Sequence, residues 1–124
     1  MLTLFAVGFG GFIGAIGRYA LSGLAYRLFG AKFPYGTLFV NIIGCFLIGF
    51  TVTITENRFL ISPNLRAFLS IGLIGAFTTF STFSYESIAL LRDGSQFAAI
   101  ANIIYSVLNG LAAVYFGIVV ARLF

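Results

Sequence analysis

The chain has 124 residues, of which 60% are hydrophobic and only 8% charged, with a formal net charge of +4. A mean hydropathy of +1.10 leaves too little polar surface for a water-soluble domain, so the composition specifies an integral membrane protein. With no histidine, one cysteine and three acids (Glu56, Glu86 and Asp93), the chain lacks the material for an internal disulfide, a soft-metal cluster or paired hydrolytic groups.

Charge-free stretches cover residues 1–17, 33–55, 67–85 and 94–121. Each approaches or exceeds the roughly 20 apolar residues that carry a helix across the hydrocarbon core. They are too long and too evenly apolar for barrel strands, whose polarity alternates. The expected architecture is all-α: a single transmembrane domain over 1–124 with helices at about 3–28, 34–55, 63–91 and 95–123. Short connections make sequential helices antiparallel neighbours.

Helix 1 has no basic residue ahead of its apolar run and reads as a retained span rather than a cleaved signal peptide. Gly10, Gly14 and Gly17 stand at i, i+4 and i+7, a small-residue stripe that admits a neighbouring helix. Arg18 is its one charge away from the ends. A charge near the bilayer centre costs about 2.5–3.5 kcal/mol, so Arg18 must snorkel, find a partner or line water. The turn AKFPYG places Pro34 in the first turn of helix 2. Helix 2 then carries Thr37, Asn41 and Gly44 on one face, continued by Thr51 and Thr55, while Cys45 reads as packing. After the loop ENRFLISPNLR, Pro63 suits the start of helix 3.

Helix 3 contains GAFTTFSTFSYE, residues 75–86, with three phenylalanines and six hydroxyls in twelve residues. In an ideal helix Thr78, Ser81, Thr82 and Tyr85 share one side, and Phe77, Phe80 and Phe83 project from the other. LRDGSQ makes a tight connection, with Gly94 as C-cap and Ser95 as N-cap. Helix 4 places Asn102, Tyr105, Ser106 and Asn109 at i, i+3, i+4 and i+7, one continuous face.

Taken singly, these residues have ordinary structural uses: Ser and Thr bond back to their own helix, Asn joins helices, and Phe faces lipid. Three matched polar stripes and an uncompensated Arg18 argue for more. The spans are rich in neutral donors and almost free of carboxylates, which favours a small anion over a metal ion. A phenylalanine ring edge is positive and attracts an anion weakly, without a fixed charge that would stop it leaving. Leaving Arg18 aside, Arg58, Arg66 and Arg122 fall on one side of the membrane and Arg27, Lys32 and Arg92 on the other. The orientation signal cancels, as in a chain that inserts both ways and pairs as an antiparallel dimer; the alternative is one orientation set by another signal.

The stretch from Gly75 to Ser84 resembles the third-helix signature of the bacterial fluoride channels, the Fluc or CrcB-like family. The likeness extends to Gly17-Arg18-Tyr19, to the run from Gly36 through Asn41 to Gly44, and to the four-helix length. The resemblance implies an antiparallel dual-topology homodimer in the bacterial inner membrane, with two pores, passive fluoride export and a third helix broken mid-membrane. It implies a pore with Phe80, Phe83 and Asn41, a polar track with Ser81, Thr82, Tyr105 and Glu86, and a vestibule kept positive by Arg18. It also implies a central sodium held by the backbone carbonyls of Gly75 and Thr78. Fluoride, lipid and a second copy are the expected partners, and nucleic acid is not. A proton-coupled exporter of hydrophobic cations is the rival reading, but it needs a mid-membrane carboxylate, for which only Glu86 is available. A structural subunit would carry small-residue seams without the amide and hydroxyl stripes, and a membrane enzyme is least favoured, because the chain has no paired carboxylate, nucleophile–base pair or metal-ligand cluster.

Overall fold

The computed structural model describes residues 1–57 and 61–124. Arg58, counted above in the charge balance, and the adjoining part of the 56–66 loop lie outside the described residues. Among those described, four segments are long and apolar enough to cross a membrane: Leu2–Phe29, Tyr35–Glu56, Pro63–Arg92 and Gln96–Ala121. The first is one continuous helix, α1 (Leu2–Phe29), closed by Gly30, whose φ of 83° lies where a side chain is disfavoured. Pro34 precedes α2 (Tyr35–Asn57) and accepts the Leu38 N–H through its carbonyl.

The third span is composite. It begins at α3 (Pro63–Ala67), with Ser62 accepting from the Leu65 N–H at 3.3 Å and proline in the first turn. A π-helical stretch follows over Phe68–Ile74, which the sequence did not foretell, and then one more α turn, α4 (Gly75–Phe77). The backbone is extended at Thr78 (ψ 158°) and Thr79 (φ −151°, ψ 115°) and resumes as α5 (Phe80–Arg92). The third helix is therefore broken, as expected. Gly94, with φ 80°, makes the connection to α6 (Gln96–Ala121). Ser95 stands at the N-cap position, but its side chain makes no capping bond; its carbonyl accepts the Ala99 N–H instead.

Glycine sets the helix spacing. A Cβ at Gly10 would lie 2.5 Å from the Phe68 carbonyl oxygen, and one at Gly72 would lie 2.6 Å from that of Val7. At Gly14 it would strike the Leu73 carbonyl, so α1 and the π-helical stretch touch backbone to backbone. Gly17, the last member of the predicted stripe, meets only the Phe77 ring, at 3.5 Å. Gly49 on α2 and Gly117 on α6 make an equivalent crossing, each set against the other helix's backbone. The buried apolar residues are correspondingly small, chiefly Ala25, Val40, Ala67, Ala99 and Ala121, while Leu4 and Phe5 point outward as lipid-facing residues do.

Candidate functional site

The break at Thr78–Thr79 is built by α2. The Asn41 side chain accepts from the Thr79 N–H at 2.8 Å and donates to the Thr79 carbonyl at 3.0 Å. One amide thus satisfies both backbone groups of a residue that has left the helix, in a medium where each orphan would cost several kcal/mol. Gly44, one turn along from Asn41, supplies the space occupied by the Thr78 methyl group. The spacing of Asn41 and Gly44 in the sequence is the footprint of this joint.

Thr79 also caps the helix that follows. Its Oγ1 accepts from the Thr82 N–H at 3.2 Å and joins the hydroxyls of Ser81 (3.2 Å) and Thr82 (3.0 Å). In an unbroken helix the Thr79 N–H would bond to the Gly75 carbonyl and the Thr82 N–H to the Thr78 carbonyl. Here both N–H groups are diverted to side-chain oxygens, so the two carbonyls are released together. The negative end of one half-helix and the positive end of another meet at this point. The first suits a hard cation and the second an anion. Groups of three or more metal-ligating side chains are absent among the described residues, so a hard cation placed here would have to be held by backbone oxygens such as these two.

Three concavities, linked through shared lining residues, lie between the α1–α2 turn and the break. The outermost, about 360 Å³, is bounded by Lys32, Pro34, Asp93 and Ser95 and has Tyr26 and Glu86 at its inner wall. The same two residues line the next, about 300 Å³, with Arg18, Thr37 and Thr82. Thr79 lines that chamber and also the innermost one, of about 460 Å³, where Asn41, Thr78, Phe80, Phe83 and Ser106 meet. The rings of Phe80 and Phe83 lie 5.6 Å apart, tilted by 47°. Arg18 makes no ion pair among the described residues, so its charge is available to the middle chamber.

The structure brings together Asn41, Thr78, Phe80 and Phe83 at the break, with Arg18, Thr82 and Glu86 in the adjoining chamber. Gly75 lines the innermost concavity as well. Ser81 is exposed and tied to Thr79. Tyr105, expected on the polar track with Ser81, Thr82 and Glu86, lines none of the three concavities and points outward, 54% exposed. The helix 4 stripe divides: Asn102 is buried and donates to Ser87, Ser106 reaches the innermost chamber, and Asn109 bonds back to the Tyr105 carbonyl. Such a stripe spans an arc of about 100°, and α5 covers only one edge of it. Phe77, placed by spacing alongside Phe80 and Phe83, is separated from them by the break and packs against Gly17 and Gly44. Sequence reasoning missed Tyr26, whose hydroxyl donates to Glu86 Oε1 at 2.8 Å beside that of Thr37 at 3.0 Å. Arg18, Ser22 and Tyr26 at i, i+4 and i+8 were the available signal.

A family model described as CrcB-like protein, camphor resistance (CrcB), matches residues 5–118. The chain belongs to the CrcB-like family. Among its relatives is a protein of Geotalea uraniireducens named fluoride-specific ion channel FluC, 47% identical over 122 residues and 98% of both chains. Proteins with the same name from Geotalea daltonii (48% identity, 98% of both chains) and Geobacter sp. strain M21 (48%, 90% of both) are similar to it too. The CrcB-like core thus takes in all four spans and the break.

Proposed function

We propose that this protein is a fluoride-selective passive channel of the bacterial inner membrane, not an enzyme, which exports cytoplasmic fluoride through two pores of an antiparallel homodimer. The observation that carries the reading is the line of chambers ending where Asn41, two phenylalanine rings and the positive end of α5 converge. Neutral donors and ring edges hold a small anion weakly, which conduction requires. The names of the relatives agree with this substrate. Sodium would sit on the Gly75 and Thr78 carbonyls, where it fixes the break and offsets the carbonyl charge. Liposomes holding the purified protein should release fluoride, read with an ion-selective electrode, with little release of chloride and no need for a proton gradient. Equal chloride release refutes the selectivity, and a requirement for a proton gradient refutes passive export.

The homodimer is supported by polar and aromatic groups left uncovered within apolar spans: Phe80 is 79% exposed, and Ser81, Thr82 and Asn109 are exposed as well. Gly75 is exposed, and a Cβ there would meet only the Ser70 carbonyl oxygen, at 3.5 Å. Gly75→Ala should therefore be silent in a lone protomer and damaging where a second copy covers this face. Dual insertion is read by a C-terminal reporter, which should give signal from both sides of the membrane. Two or three added lysines on one side should leave a single orientation.

A further inference from the structure

We propose that Tyr26 is a positioning residue for Glu86, holding the carboxylate against α1 and α2 so that its charge does not enter the anion's route. The inference rests on the channel reading above and adds a residue to it. Glu86 belongs to α5, yet one of its oxygens, Oε1, takes two hydroxyl donors from elsewhere: Tyr26 of α1 at 2.8 Å and Thr37 of α2 at 3.0 Å. The other oxygen, Oε2, is buried without a hydrogen-bond partner among the described residues. The carboxylate is thus fastened on one side only.

The tyrosine ring is itself seated. A Cβ at Gly36 would come within 2.5 Å of the ring's Cε2 and 2.9 Å of its Cζ, so the glycine at the start of α2 provides the ring's place. Tyr26 and Glu86 are also the two residues shared by the outer and middle chambers, so the pair stands at their common boundary. The charged and titratable groups around Glu86 are Arg18, Tyr19 and Tyr26 from α1, Lys32 from the α1–α2 turn, and Asp93 at the end of α5. A carboxylate released from Tyr26 has two courses in such a setting. It can swing toward Arg18 and cancel the cation that attracts the anion, or stand in the passage and repel it. Both slow an anion, and both depend on the Glu86 charge.

The test is a double-mutant cycle on fluoride efflux from liposomes, using the full chain. Tyr26→Phe keeps the ring in its seat and removes only the donor. In the native background it should slow efflux about tenfold, while in a Glu86→Gln background, where no charge can swing, the same change should alter efflux less than about twofold. Equal slowing in both backgrounds would make the tyrosine hydroxyl a packing element and overturn the proposal, as would unchanged efflux in Tyr26→Phe. A parent protein that releases no fluoride overturns the channel reading and this inference with it. Gly36→Ala, which displaces the ring, should reproduce the Tyr26→Phe pattern across the two backgrounds; slowing of the same size in both would count against it.

Discussion

From Pro63 to Phe77 the third span is held by shape, its backbone pressed against α1 at Gly10, Gly14 and Gly72. From Phe80 to Arg92 the same span is held by polar side chains instead: Asn41 at its entrance, Tyr26 and Thr37 on Glu86, and Asn102 on Ser87. The difference follows from what each half must do. Close glycine packing gives continuous dispersion contact on the face toward α1 and leaves no room for an ion there. Hydrogen bonding anchors a helix at a few points and leaves polar chambers between them. The first half can therefore be the fixed wall and the second the lining of a path.

Breaking the shape-held half should have the largest effect. Gly14→Val inserts branched carbons into the Leu73 backbone, a clash that no rotamer relieves, and should cost more than about 3 kcal/mol. The expected outcome is loss of monodisperse protein on size exclusion, with no folded fraction left to assay. Recovery of well-folded protein would mean the crossing is looser than the glycine contacts require.

Asn41→Ala attacks the joint between the halves. It strands both backbone groups of Thr79, at about 1–3 kcal/mol each, and should lower fluoride efflux by more than about 100-fold. Thermal unfolding in detergent and efflux in liposomes should fall together, because one side chain serves both.

Phe80→Ile and Phe83→Ile sharpen the comparison within the hydrogen-bonded half. Both stay apolar and nearly fill the same space, but the ring quadrupole is lost, and efflux should slow about tenfold for a barrier change near 1.4 kcal/mol. Phe77→Ile lies on the other side of the break, in the shape-held half. It should lower stability by about 1 kcal/mol with little change in efflux per folded protein, the reverse of the Phe80 pattern. Normal efflux in both Phe80 and Phe83 variants would reduce the rings to packing.

The smallest effect is expected at Asn102→Ala. Its bond to Ser87 at 3.0 Å joins two helices within the membrane, where such pairs are worth about 0.6 kcal/mol on average. A shift of a degree or two in unfolding temperature, with efflux unchanged, would place this contact among the anchors rather than in the path.

The sequence by itself determined the number and extent of the spans, because the length of an apolar run against the bilayer thickness is a local property. Pro63 at a helix start and Gly94 at a turn were legible for the same reason. Phe80, Phe83 and Asn41 were singled out as candidates through a family signature, since spacing alone put Phe77 with Phe80 and drew the helix 4 stripe as one face. Tertiary structure decided the rest. Within TTFST, Thr79 can cap the helix that follows, but no residue there forbids a continuous helix; the break persists because Asn41, 38 residues away, satisfies Thr79 on both sides. Glu86 is likewise fixed by Tyr26, 60 residues away. In a medium without water every polar group must find its partner within the protein, and only the packed chain establishes which partner that is.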